Sequence, residues 1–419
     1  MSKLIIWGAI IALLLSLPMA ALMQVIYYPF IFALLAAVST FISVVYLLTC
    51  LDEKKKTTKI PKIKKWPQLS VVVPAYNCEN TITRCLSSVL SMNYPRKFEV
   101  IVVADAISDK IAKKRQGKAR AMNKGVSLAK GNAIALIDSD TFPSKTALEN
   151  TVPFLEDKTT GAVFAFISVE KSNNPLKEVQ RVEYNAASGF WHHALGKMES
   201  IFVTPGPMVV YRKKTLDRLG GFEEGNLTED MEMTMRMQDK GLKVVFNPRT
   251  HVYTDVPETL PKLYRQRLRW TRGKIYNGLK YKHMFFNSFF GELGRFVLPA
   301  SFLVDLLGML IVFGLIVWNL SAFSSLMGGI PSILATEPSL LLNPDTYSHQ
   351  IGNPAPFLIT TAFILTFTIL WFSFETAGQK FKLSDVPAGL LFTFLYPFFI
   401  VFIGFSSLAH EASRSEYKW

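Results

Sequence analysis

Three scarcities frame this sequence, and each excludes something. Cysteine occurs 3 times in 419 residues, at Cys50, Cys78 and Cys85, with no metal-ligand spacing; Cys78 and Cys85 should be reduced thiols. Charge is scarce too: 19% of the residues are charged while 50% are apolar, too greasy for an ordinary soluble protein. Ionisable groups are almost absent from five long runs, at 4–23, 27–50, 296–318, 357–374 and 386–409; Asp305 is the one exception. Each run is long enough to cross a hydrocarbon core of roughly 30 Å as a helix. A transporter would spread polar groups through most of its spans, so one acid argues against that class. The first run is followed at once by the second, which favours a helical hairpin over a cleaved signal sequence.

What charge there is sits between the runs. Lys54, Lys55, Lys56, Lys59, Lys62, Lys64 and Lys65 follow the second run; Lys262, Arg265, Arg267, Arg269, Arg272, Lys274, Lys280 and Lys282 precede the third. Basic residues beside spans stay in the cytoplasm, so the polar middle of the chain faces that side, with the N-terminus inside and the C-terminus outside. The loop at 321–356 is then external, and the short loop with Lys380 and Lys382 internal. The formal net charge of +14 invites a nucleic-acid reading. Its crowding at the membrane ends instead fits anionic lipid head groups, and no nucleic-acid partner is expected.

The polar middle reads as strand, helix, strand. LSVVVP is followed by an amphipathic stretch with Ile82, Leu86 and Val89 at helical spacing, then by FEVIVV; a helix over 118–130 leads to AIALI. Strands apolar throughout, alternating with helices, predict a parallel sheet covered on both faces, with ligands at its carboxyl ends. Unusual polar residues stand there: Tyr76 and Asn77, Asp105, then Asp138 and Asp140.

Asp138 and Asp140 flank one residue after a buried strand, where two like charges are costly without a cation. Such hard oxygen ligands suit Mg²⁺ or Mn²⁺, although turn and helix-cap chemistry explains them as well. Lys118 and Arg120 open the preceding helix, placed either to meet phosphate or as a solvated face. Thr228, Glu229 and Asp230 precede a helical stretch, where acids are favourable for dipole reasons alone; alternatively a carboxylate here takes a proton as a general base. In QRLRW, Gln266, Arg269 and Trp270 share one helix face at i, i+3 and i+4, offering an amide, a guanidinium suited to phosphate and an indole suited to a sugar ring. That helix also fits a basic surface against the membrane, and Arg265 and Arg267 are expected to point elsewhere.

In order and separation, PAYN, DSD, TED and QRLRW resemble the processive branch of family 2 glycosyltransferases: poly-N-acetylglucosamine, hyaluronan, chitin and cellulose synthases. The resemblance covers roughly 70–282. It implies an α/β GT-A (Rossmann-like) cytoplasmic domain over 69–282, with two transmembrane helices in 1–51, a basic linker at 52–68, and an interfacial segment plus three transmembrane helices in 283–419. This is a bundle of about five spans in the cell membrane. The implied reaction is inverting transfer from a nucleotide sugar, in particular a UDP-sugar, to a glycan acceptor, with Mg²⁺ or Mn²⁺, extending a β-linked polysaccharide.

Residue by residue, the resemblance puts Tyr76 on the uracil, with Asp105, Lys118 and Asp138 around the nucleotide. It puts Asp140 on the metal, Asp230 as catalytic base, and Gln266 and Arg269 on the pyrophosphate. Trp270, Glu229, Gly206 and Pro207 fall on the acceptor side, and Glu183 and Tyr184 match a less specific part of the pattern. Where relatives commonly carry two aspartates followed by Gly and Ser, this chain reads ADAIS, leaving Asp105 alone. Two other functions fit part of this pattern: single sugar transfer to a membrane lipid such as a polyprenyl phosphate or a ceramide-like lipid, and a weakly active scaffold subunit of a synthase. The intact acids argue against the scaffold.

Overall fold

The computed structural model describes residues 28–52, 59–104, 117–314 and 355–413. The run at 4–23 and Asp105 lie outside them. The described residues divide into two compact units, one holding 45–300 with 368–392 and the other holding the remaining helical segments.

The first unit is built on a seven-stranded sheet ordered β2-β1-β3-β6-β5-β7-β4. Its strands are β1 (Leu69–Ala75), β2 (Glu99–Ala104), β3 (Ala133–Ile137), β4 (Thr141–Pro143), β5 (Thr160–Val169), β6 (Met208–Arg212) and β7 (Lys243–Thr254). Helix α1 (Tyr28–Leu51) precedes them; α2 (Ile82–Leu90), α3 (Lys118–Leu128), α4 (Pro175–Ala186), α5 (Lys213–Leu219) and α6 (Glu229–Asp239) lie between them, and α7 (Leu260–Lys280) comes after β7. Helices α8 (Leu293–Gly314), α9 (Ala355–Thr376), α10 (Val386–Phe394) and α11 (Tyr396–Ala412) follow.

The apolar runs of β1, β3 and β5 fill the core because helices or loops cover both faces; Val71, Val73, Ala135, Ile137, Val163 and Ala165 are buried, with Cys85 and Val89 of α2 packed on them. The sheet corrects one expectation. β1, β2 and β3 run parallel, but β3 pairs antiparallel with β6, as β5 does with β6 and β4 with β7, so the sheet is mixed. Nor is β2 covered on both faces, since it forms a sheet edge and leaves Val102 exposed.

Two of these pairings position the chemistry. Ile137 of β3 lies opposite Met208 of β6, so the start of β6 meets the carboxyl end of β3, and the Asp138 N–H donates to the Pro207 carbonyl at 3.1 Å. Thr141 lies opposite Thr254, and the Asp255 N–H donates to the Asp140 carbonyl at 3.0 Å.

Helix α4 starts with Pro175 in its first turn behind Asn174, whose side chain accepts from the N–H groups of Leu176 and Lys177. It continues through a π-helical turn, Ala187–His192, into the helix His193–Lys197. Within that turn Gly189 lies so close to α9 that an added Cβ would meet the Ser373 carbonyl oxygen at 2.5 Å. A buried ion pair fastens α4 further: Arg181 donates to Asp385 at 2.6 Å and to Glu178 at 2.9 Å, and its guanidinium faces the Phe374 ring.

Among the described residues, two helical stretches are long and apolar enough to cross a membrane, Leu293–Gly314 and Leu383–Ala412; Ala37–Leu51 and Ile364–Thr376 are shorter apolar helices. The last run, read from sequence as a span at 386–409, lies within Leu383–Ala412 and carries a turn at Leu395. Pro397 in the first turn of α11 has no N–H for the helical ladder, which separates α10 from α11.

Candidate active site

Four carboxylates and two cations converge where β3, α3, α6 and α7 meet. Lys118, at the first turn of α3, ion-pairs with both carboxyl oxygens of Asp138, at 2.7 and 2.9 Å, and lies 3.5 Å from Glu229. Burial alone would pull the Lys118 ammonium down, but Asp138, Glu229 and Asp230 outweigh it and raise its pKa. A Cβ at Gly206 would stand 2.8 Å from Asp138 Oδ2 and 2.9 Å from Lys118 Nζ, so a larger residue here would push the ends of this pair aside. Gly206 and Pro207, expected on the acceptor side, thus back the Lys118–Asp138 pair. Glu229, also expected there, is buried behind Lys118.

Asp140 is pushed up to about 7, first by loss of water and then by the charge of Asp138, against the pull of Lys118. Asp230 is pushed up to about 6, again by desolvation first and by Glu229 second, while Lys118, the Met231 N–H at 2.7 Å and Arg269 pull it down. Burial is the larger cause in both, and the surplus of Asp138, Asp140, Glu229 and Asp230 over Lys118 and Arg269 adds to it.

The TED and QRLRW segments are locked together by a buried polar network. Thr228 stands at the N-cap of α6 without capping it; its hydroxyl is instead 2.9 Å from Asn277 Nδ2, which also donates to the Thr228 carbonyl and to Asn226. An added Cβ on Gly273 would come 2.3 Å from the Thr228 hydroxyl oxygen, so α7 approaches α6 through a glycine. From α7, Arg269 donates to the Leu227 carbonyl at 3.1 Å, beside the TED turn.

Gln266 and Trp270 are half-buried on the same helix. Arg267 does not point elsewhere, as its position in sequence suggested. It is buried, donates to Glu183 and to Gln266 at 2.6 Å each, and holds its guanidinium 4.1 Å from the centre of the Trp270 ring. The helix turns inward because α4 supplies Glu183 opposite. Tyr76 is exposed at the end of β1, next to Asn77, whose positive φ of 45 ends the strand. Sequence reasoning passed over Asn226 and Asn277 and set Arg267 aside as pointing away. Their signal was weak: Asn226 sits in a loop, Asn277 in a helix interior, and Arg267 one step off the chosen face.

Comparison with known proteins adds the following. The family described as glycosyl transferase family group 2 matches residues 133–403, and that described as glycosyl transferase family 2 matches 70–114. A curated relative from Bacillus subtilis (strain 168), named probable glycosyltransferase YdaM, is 30% identical over 260 residues, 54% of this chain and 61% of its own length. The poly-β-1,6-N-acetyl-D-glucosamine synthase of Staphylococcus aureus (strain MSSA476) is 26% identical over 226 residues, 49% of this chain and 54% of its own. The chain therefore spans 61% and 54% of the length of these relatives. Among solved structures, the mannosyltransferase PcManGT from Pyrobaculum calidifontis, in complex with GDP-Man and Mn²⁺, superposes with a TM-score of 0.51 at 20% identity, covering 82% of this chain and 98% of that one. At such identity the likeness is one of fold, an α/β fold of the GT-A kind.

Proposed function

Because the chain belongs to glycosyl transferase family group 2, we propose that this glycosyltransferase moves a sugar with inversion from a nucleotide-sugar donor, a UDP-sugar in particular, to a glycan acceptor at the cytoplasmic face of the cell membrane, extending a β-linked polysaccharide. The observation that carries this reading is the gathering of Asp138, Asp140 and Asp230 around Lys118 at the carboxyl ends of β1 and β3. In this reading Asp230 accepts the proton of the attacking hydroxyl, and a carboxyl pushed up to about 6 is close to the operating pH, where a base works best. Tyr76, Asp105, Lys118 and Asp138 take the nucleotide, Gln266 and Arg269 the diphosphate, and Trp270 the acceptor sugar. Glu229, Gly206 and Pro207 shape the site behind them.

The residues fit a divalent cation, Mg²⁺ or Mn²⁺. Lys118 already neutralises Asp138, whereas Asp140 carries desolvation and repulsion that a cation would relieve. Among the described residues no three His, Cys, Asp or Glu side chains converge as a metal site, so diphosphate oxygens would supply further ligands beside Asp140. Such an ion would neutralise charge on the leaving diphosphate.

The membrane side of the proposal rests on the apolar stretches Leu293–Gly314 and Leu383–Ala412 and on the basic flanks of 69–282. The test is to incubate the purified protein in lipid vesicles with a panel of radiolabelled nucleotide sugars, with and without EDTA, and to separate lipid from polymer. Glycosidase-sensitive material larger than a few sugars, lost in EDTA and restored by Mn²⁺ or Mg²⁺, is the expected outcome. Label confined to an organic-soluble lipid bearing one sugar would replace the glycan acceptor by a membrane lipid. Turnover unaffected by EDTA would remove the cation.

A further inference from the structure

We propose that Arg267 is a positioning residue that fixes the Trp270 indole and the Gln266 amide, with Glu183 holding it from behind. The acceptor role of Trp270 rests on the function proposed above; the contacts of Arg267 do not. One residue from Gln266 on α7, its side chain turns into the protein and is 3% exposed. A guanidinium at that depth is costly unless fully engaged. Arg267 is engaged on several sides: Glu183 Oε2 at 2.6 Å, Gln266 Oε1 at 2.6 Å, the Trp270 ring with its centre 4.1 Å away, and the Tyr184 ring at 6.0 Å.

Each contact has a consequence for the site. A planar cation over a partly desolvated indole restricts the ring to one orientation, which a flexible, strongly hydrated ammonium cannot do equally well. Accepting from Arg267 turns the oxygen of the Gln266 amide inward, so its N–H donors are the part offered to a ligand. Tyr184 extends the arrangement towards the carboxylates, since the charges of both Arg267 and Asp140 act on its phenol. Glu183, half-buried on α4, supplies the counter-charge that lets the guanidinium stay inside. The Trp270 platform is therefore set by α4 as well as by its own helix. A platform loosened by even about 1 Å would misplace an acceptor hydroxyl relative to the base.

The experiment reads Trp270 directly. In protein held in lipid nanodiscs without substrate, acrylamide quenching of Trp270 is taken as the difference between a given background and the same background carrying Trp270→Phe. Arg267→Lys keeps the charge beside Glu183 and loses the planar stack; it should leave unfolding unchanged and raise Trp270 quenching about twofold or more. Arg267→Met combined with Glu183→Gln removes both charges together and should fold, with the same rise in quenching.

With the nucleotide sugar selected by the panel, both variants should raise the KM for an oligosaccharide acceptor by about tenfold and the donor KM, through the Gln266 amide, by only about two- to threefold, while hydrolysis of the donor by water at saturating donor changes by less than about twofold. Adding Trp270→Ala to either should cause no further loss. Unchanged quenching in Arg267→Lys, additive losses with Trp270→Ala, or donor hydrolysis that falls in step with transfer would each overturn the proposal. So would failure of the charge-free pair to fold, which would assign Arg267 and Glu183 to the fold. If Trp270→Ala by itself leaves the acceptor KM unchanged, the acceptor role of Trp270 fails, while the quenching still decides on Arg267.

Discussion

Two of the buried charge clusters in the sheet-bearing unit are of opposite design. Around Arg181, cations and acids balance: Arg181 and Lys171 face Glu178 and Asp385, and the short Arg181–Asp385 pair is buried on both sides. Around Lys118 the acids are in surplus, and two of them are pushed up, Asp140 to about 7 and Asp230 to about 6. A fold that only needed stability would not leave carboxylates short of counter-charge. In the function proposed above the surplus serves incoming charge and proton transfer, whereas the balanced cluster is a fastening between α4 and the segment leading into α10.

The sharpest way to break this contrast is to neutralise one member of each cluster. Asp230→Asn should lower sugar transfer by about 10²- to 10⁴-fold while donor binding, measured by calorimetry, stays nearly intact. Loss of folding there, or full activity, would place Asp230 in the structural class. Arg181→Ala should act the other way, costing about 3–5 kcal/mol in stability because Asp385 and Glu178 are left buried without their cation. The paired change Arg181→Met with Asp385→Asn should recover most of that loss in the same unfolding measurement.

Gly206→Ala tests how tightly the reactive cluster is built. The new Cβ would fall 2.8 Å from Asp138 Oδ2 and 2.9 Å from Lys118 Nζ. The pair must move, and a cost of about 1–3 kcal/mol is expected, together with a raised KM for the donor. An unchanged donor KM would mean that the Lys118–Asp138 pair is no part of the donor site.

The smallest effect is one of pH. For Asp140 and Asp230 the folded-state pKa lies above the ordinary value of 3.8, so the folded protein binds protons more tightly than the unfolded chain. Stability should therefore fall as pH rises from about 4 through about 7, and Asp230→Asn should flatten the lower part of that slope. Transfer should move oppositely, rising as Asp230 loses its proton near pH 6. A Tm that climbs over the same interval would contradict the surplus of acid.

The residues that carried their own signal were those whose local pattern has a single physical reading. LSVVVP and AIALI had to be buried strands, and their buried side chains show it. The helix expected over 118–130, between two strands, forms as Lys118–Leu128. DSD was legible because two acids after a buried strand are conspicuous. QRLRW was legible as a shared face but incompletely, since helical spacing names the residues on a face and not the partner that turns a neighbour inward.

Sequence alone thus determined the alternation of strands and helices, the polar residues at the strand ends and the long apolar runs, because each depends on periodicity or composition within a few turns of chain. Only the tertiary structure decided the antiparallel entry of β6 that sets Gly206 and Pro207 against Asp138, the turn before Pro397, the Asn226–Thr228–Asn277 lock and the burial of Arg267 against Glu183. The physical reason is distance along the chain. Arg267 and Glu183 are 84 residues apart, and no local pattern records that a charge will find its partner across such a separation.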